Sequence, residues 1–283
     1  MALNNYQFQF GSFVFGGSGS PFQILSIDGL EGLPELRTQD DNRGYNDGMF
    51  SGRDFLSGRT IVMEINTFAG NGNSAQTNLN LLQAALLPQT SGTTLMQFQL
   101  SPSDPLRRLN ARVRVGKTVV DPNYTFGFIR SQYTFFCPDP RYYDDSATTT
   151  SLTLGGSLGR VYNRVYPLVY QTATGSSTTL TNNGYATTYP VITVNGPATT
   201  VTLGNVTTGQ YLTINYQLAQ TDSLVVDTDQ KLVTINGLSA RNLLNNGSTW
   251  FGLQPGANQI LFSATNIVNG TTAASATFRS AYI

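Results

Sequence analysis

Residues 233–264 read VTINGLSARNLLNNGSTWFGLQPGANQILFSA, and the fold class of the second half of the chain turns on how they are read. The runs VTI and QILF are short, apolar and alternating, and an Asn-Gly pair and a Pro-Gly pair punctuate them. A period of two sends successive side chains to opposite faces of a strand, and such dipeptides close turns. The stretch therefore predicts strands and not a helix. Trp250, the only tryptophan, stands beside Phe251 on a predicted strand, so one of the two faces the core and the other faces out or toward a partner. Two readings of Trp250 stay open: a strut inside a sandwich, or a platform for a sugar ring. Gly256 follows Pro255 as a turn requires, and Ile260 and Phe262 share a face beyond it, which predicts a hairpin able to bury an aromatic without a ligand.

The same pattern extends on both sides. PVITVNG, TTVTLGN, YLTINYQ, DSLVVDTDQKLVTING and ASATFRSAYI are further strand signals at close spacing, the sequence form of a β-sandwich over residues 190–283. ARNLLNNG offers at most one helical turn, and Asp227 and Asp229 read as part of a hairpin turn. Of the charged residues, 24 precede Ser146 and only 8 follow, while Thr, Ser and Asn become dense, so a domain boundary is expected there. Residues 146–189 read as a connecting segment, by composition either a linker or a surface hairpin, with its membership of the second domain left open.

Residues 1–145 carry a different mixture. The opening YQFQF alternates as a half-buried strand does and lacks the basic and apolar regions of a signal peptide. SFVFGG, PFQILSIDGLEG, RTIVMEINTFAG, TLMQFQL, NARVRVG and YTFGFIRSQYTFF read as strands, with Ile61, Met63 and Ile65 on one face. SAQTNLNLLQAALLP predicts the one helix, capped by Asn73 or Ser74, striped by Leu79, Leu82 and Leu86 and stopped by Pro88. LRTQDDNRGYNDGMFSGRDFLSGR is too long and glycine-rich for a tight turn, and an exposed loop that contacts something is expected. The first half is thus an antiparallel β domain with a single α-helix.

Composition excludes most chemistry. The chain of 283 residues has 16 basic and 16 acidic residues, a formal net charge of zero, one cysteine and no histidine. Balanced charge does not steer nucleic acid or anionic lipid, and the apolar runs are far shorter than the roughly 20 residues of a membrane helix. Cys137 alone forms no internal disulfide and no multi-cysteine metal site. Without histidine a serine triad cannot be assembled, and adjacent acids such as Asp40 with Asp41 or Asp144 with Asp145 point to opposite strand faces instead of flanking a glycosidic bond. GKT at 116–118 lacks the first glycine of a phosphate loop, and neither DDNRGYNDG nor DTDQK has the ligand spacing of a calcium loop. No catalytic residue, cofactor or metal ligand is expected. The densest basic stretch, DPLRRLNARVRVGK, carries Arg107, Arg108, Arg112 and Arg114, with Arg112 and Arg114 predicted on one strand face. Nearby acids favour ion pairing at a subunit contact over a nucleic-acid groove.

In order, these features resemble the distal tail proteins of long-tailed, siphovirus-like bacteriophages. The resemblance rests on SGRTIVMEINTFAG, the helix near Leu79, YTFFCPDPRYY, the 233–264 stretch and the terminal ATFRSAYI. It implies a tail-tube-like antiparallel β-barrel or sandwich with one helix, followed by a galectin-like or carbohydrate-module-like β-sandwich. It also implies a virion structural protein made in the host cytoplasm: a minor tail protein, no enzyme, forming a ring of six. The ring would join the tail tube protein to the tail tip or baseplate, meet the tape measure protein, and leave a channel for DNA without reading its sequence. No membrane partner is implied. Closed rings need heterologous edge contacts, and antiparallel domains offer edges and long loops for them. The candidate inter-subunit residues are Asp41, Arg43, Tyr45 and Arg53 of the long loop and Arg107, Arg108, Arg112 and Arg114 of the basic strand. Under the alternative of a glycan-binding module for host cell-wall carbohydrate, Trp250 and Tyr189 are the candidate contacts.

Overall fold

The computed structural model describes residues 3, 5–69, 72–154, 177–268 and 271–283. The fold is mainly β, with a single α-helix among the described residues, and the chain divides into two compact units. The first comprises Met1–Asp145 together with Tyr282–Ile283, and the second comprises Ser146–Ala281. Part of the segment read as a connection, residues 155–176, lies outside the described residues.

The strands of the first unit are β1 (Gln7–Phe10), β2 (Phe13–Gly16), β3 (Phe22–Asp28), β4 (Leu36–Arg37), β5 (Asp41–Asn42), β6 (Met49–Phe50), β7 (Phe55–Leu56), β8 (Arg59–Phe68), β9 (Thr94–Gln99), β10 (Arg107–Val119), β11 (Phe128–Cys137) and β12 (Tyr142–Asp144). Seven of them follow one antiparallel path, β2-β1-β9-β10-β11-β8-β3. The long β10 pairs with β9 through Arg107–Ala111 and with β11 through Arg112–Val119, so one strand passes between two layers. Alternate residues of these strands close the core: Phe8, Phe10, Ile61, Met63, Ile65, Met96, Phe98, Val113 and Phe135 are all buried. Helix α1 (Gly72–Ala85) lies on this core, with Leu82 and Leu86 in the main cluster and Ala75 and Leu79 against Ile129. It starts at Gly72, so Ser74 sits in its first turn and not at its cap. YTFGF is not the start of a long strand either. Asp121 caps a 3-10 turn over Pro122–Phe126, and Gly127 at φ 81° ends it before β11.

The second unit contains β13 (Thr148–Leu152), β14 (Ser177–Asn182), β15 (Val191–Asn195), β16 (Ala198–Asn205), β17 (Gln210–Leu218), β18 (Ser223–Asp227), β19 (Leu232–Ile235), β20 (Leu238–Ser239), β21 (Gly256–Thr265) and β22 (Ala273–Phe278). They form a six-stranded sheet, β13-β22-β15-β18-β19-β20, and a four-stranded sheet, β14-β21-β16-β17. Leu180, Ile192, Val194, Leu203, Leu212, Leu224, Val226, Phe251, Ile260 and Phe262 fill the core between them. The turns are those that the sequence punctuates. Asn236 and Gly237, at φ 51° and 80°, make the left-handed pair of a tight hairpin between β19 and β20. Asp227 accepts from the backbone amides of Asp229 and Gln230 and shapes the turn from β18 to β19. A last strand, β23 (Ala281–Tyr282), pairs with β12 and returns the chain to the first unit.

Candidate assembly surfaces

The polar stretch after β3 is not an irregular loop. β4 pairs with β7 and β5 with β6, and the backbone amide of Ser57 reaches the carbonyl of Glu35 at 2.8 Å, so residues 35–57 form a two-stranded arm. Its ladders are only two residues long, too short for a periodic signal in sequence, and Asp40 bridges the gap between them by accepting from the Gly52 amide at 2.7 Å. Nearly every residue of the arm is exposed, including Leu36, Tyr45, Met49 and Phe50. The candidate residues Asp41, Arg43, Tyr45 and Arg53 all lie on it: Asp41 in β5, Tyr45 fully exposed at the tip, Arg43 over the Phe50 ring at 5.1 Å and Arg53 over Phe55 at 5.2 Å. Water-exposed cation–aromatic contacts of this kind contribute about 0.5–1 kcal/mol each and hold the arm's side chains in place.

The arm springs from a root that the sequence did not single out. Arg59, the first residue of β8, is 2% exposed. Its Nε donates to the Pro140 carbonyl at 2.8 Å, and its Nη1 donates to the carbonyls of Gly29, Leu30 and Gly32 at 2.9, 2.7 and 3.1 Å. Gly29, at φ 76°, has no room for a side chain, since a Cβ there would lie 2.1 Å from the Thr60 carbonyl oxygen. Nothing in a local window of sequence marks an arginine that satisfies four distant carbonyls.

The basic strand divides into two parts. Arg107 pairs with Asp144 and Arg108 with Asp145, the second at 3.9 Å, so both charges meet acidic partners within the chain. The register of β10 against β11 shifts between Val113 and Val115, and this bulge at Arg114 breaks the simple alternation that would put Arg112 and Arg114 on one face. Both guanidiniums nevertheless reach one ring, Phe136 of β11, at 5.7 and 5.1 Å. Arg112 Nε is buried without a hydrogen-bond partner among the described residues, whereas Arg114 is exposed. A separate cleft of about 270 Å³ is lined by Leu25, Asn66, Asp121, Asn123, Phe128 and Arg130 and includes none of the candidate residues.

In the second unit, Ser248–Gln254 belong to no named strand, because this segment crosses from the edge of β17 to a bridge between Leu253 and Thr188. The hairpin expected there does not form: β21 pairs instead with β14 and β16. Phe251 is 1% exposed in the core, and Trp250 is half-buried against the same core. The ring of Tyr189 lies so close over Gly252 that a Cβ there would come within 2.9 Å of it. Cys137 is buried, and that burial pushes its thiol up to about 12 against the lowering effect of Arg59, with Asp139 adding to the rise. No group of three or more His, Cys, Asp or Glu side chains fit to hold a metal occurs among the described residues.

Residues 183–282 match the model of the siphovirus-type tail component, C-terminal domain. The whole chain has the fold of the SPP1 Dit (gp 19.1) protein, whose crystal structure is described as a paradigm of hub adsorption apparatus in Gram-positive infecting phages. That likeness has a TM-score of 0.70 at 18% identity and covers 98% of this chain and 99% of that one. Chains of the phage P2 baseplate in its activated conformation, with Ca and with Sr, follow with TM-scores of 0.49 and 0.48 at 12% and 11% identity, covering 96% of this chain and 97% of theirs. No curated protein sequence matches. The resemblance to siphovirus distal tail proteins is borne out, and with it the mainly β fold: the chain carries the C-terminal domain of siphovirus-type tail components on a Dit fold.

Proposed function

We propose that this chain is a distal tail protein of a siphovirus-like phage, a non-enzymatic hub built into the virion after synthesis in the host cytoplasm. Six copies close a ring that joins the tail tube to the tail tip or baseplate and leaves a channel for DNA. The observation that carries this reading is the likeness to the SPP1 Dit hub protein over essentially the whole of both chains. The arm supports it physically. A two-stranded projection with exposed Leu36, Tyr45, Met49 and Phe50 leaves apolar surface in water that a partner would cover, and a ring supplies each copy with two neighbours. Asp41, Arg43, Tyr45 and Arg53 of the arm and Arg107, Arg108, Arg112 and Arg114 of the basic strand are the proposed contacts, Arg107 and Arg108 being also paired with Asp144 and Asp145 within their own unit.

Electron microscopy of the purified protein and of virions tests this. Six-fold rings, and labelled copies at the tail end of the particle, are expected. A strict monomer at high concentration together with absence from virions would overturn it. Because hubs can require their neighbours to assemble, localisation in the particle outweighs the isolated-protein result.

A further inference from the structure

The chain leaves the first unit at Asp145 and comes back to it at Tyr282, and that return carries an unusual set of contacts. The Tyr282 ring is stacked on Tyr142 with centroids 5.6 Å apart and planes 13° from parallel. The Arg107 guanidinium, itself paired with Asp144, sits 3.6 Å from the centre of the Tyr282 ring. Tyr142 is buried, meets Phe98 edge-on at 5.8 Å, and has the Arg59 guanidinium 5.8 Å from its own ring centre. Arg59 in turn binds the carbonyls of Gly29, Leu30 and Gly32, from which the arm departs. An unbroken series of contacts, Arg107, Tyr282, Tyr142, Arg59, therefore ends on the arm root.

The last link is electrostatically delicate. Arg59 is a buried cation held by carbonyl dipoles and an aromatic face, and its Nη2 has no hydrogen-bond partner among the described residues. A buried charge compensated only by such groups depends on their placement, because each lost acceptor leaves desolvated charge uncovered. The face of Tyr142 is one of those groups, and the Tyr282 ring is stacked on Tyr142.

We propose that Tyr282 is a positioning residue for the arm: its return to the first unit completes the stack, and the completed stack holds Arg59 on the arm root. Displacement of the Tyr282 ring from that stack loosens the arm at its base and leaves the first unit's core intact. This coupling stands on the side-chain contacts themselves and not on the ring proposed above.

Hydrogen exchange of the full chain, comparing wild type with Tyr282→Ala and Tyr282→Phe, tests it. With Tyr282→Ala, exchange over residues 29–35 and at the Ser57 amide should accelerate tenfold or more, while β8, β10 and β11 keep their protection. Tyr282→Phe, which keeps the stacked ring, should exchange as wild type does. Should Tyr282→Ala lose the first unit's fold by near-ultraviolet circular dichroism, Tyr282→Leu replaces it, with the same confined acceleration expected. Unchanged exchange at the arm root, or acceleration spread evenly through β8, β10 and β11, overturns the proposal.

Discussion

Replacing Phe251 by alanine separates the two readings of the aromatic pair at 250–251. The Phe251 side chain is 1% exposed and packs in a core that includes Leu253, Ile260 and Phe262. Emptying a site of that kind removes the transfer free energy of the ring and leaves a cavity, about 4 kcal/mol in total. For a unit of this size each kcal/mol moves the midpoint by about 3 °C, so the unfolding temperature of the second unit should fall by about 12 °C. Trp250 lies half-buried, covering on the order of 100 Å² of apolar surface. At about 25 cal/mol per Å² its removal costs about 2.5 kcal/mol, or roughly 7 °C. Scanning calorimetry of Phe251→Ala and Trp250→Ala, each paired with binding to a glycan array, measures both effects. The core reading requires Phe251→Ala to be the more damaging and Trp250→Ala to leave glycan signals where wild type has them. A Trp250→Ala variant of unchanged stability that loses glycan binding would refute it and make Trp250 a sugar platform.

Other consequences follow from the first unit and from the turns. Arg59→Met leaves four carbonyls without their donor while removing a buried charge, and a net loss of about 3 kcal/mol in urea unfolding of the first unit is expected; a loss below about 1 kcal/mol contradicts the role given to Arg59. Cys137, buried and with its thiol pushed up to about 12, stays protonated through the neutral range, so a thiol reagent at pH 8 should leave the native chain unmodified and label it promptly in denaturant. The carboxyl of Asp222 is held below its ordinary value, first by the Asn236 side-chain amide and then by the Ala219 backbone amide. A lowered folded value means that this contribution is present above the unfolded carboxylate range and is lost as the pH falls through the folded one. An NMR titration should place the Asp222 midpoint below about 3.9, with Asn236→Ala returning it toward that value, and a midpoint at the ordinary value would count against these contacts.

Several elements were legible because their signals are local. Ile61, Met63 and Ile65 alternate inward in β8, and Leu79 and Leu82 line the buried side of the helix with Leu86 just past its end, since periods of 2 and 3.6 are properties of consecutive residues. Asn236-Gly237 adopts the left-handed turn because those residue types tolerate it. The arm is legible in sequence as exposed but not as paired, its two-residue ladders being shorter than any period. The bulge at Arg114 was hidden because ARVRV alternates with or without an extra residue. The crossing of Ser248–Gln254 reads as a strand in sequence because Trp250 and Phe251 favour strands wherever side chains are half-buried.

By itself the sequence determined the β character of both halves, the helix before Pro88, the tight turns and the lack of any histidine, all of which depend on residue type and on spacing along the chain. Tertiary structure alone decided that Phe251 and not Trp250 enters the core, that Arg107 and Arg108 find Asp144 and Asp145, that Arg59 grips the arm root and that Tyr282 comes back to lie on Tyr142. The reason is the range of the interactions. Pairings between residues dozens or more than a hundred positions apart are selected by the packing of the whole unit, where burial and the satisfaction of distant carbonyls weigh more than any local preference.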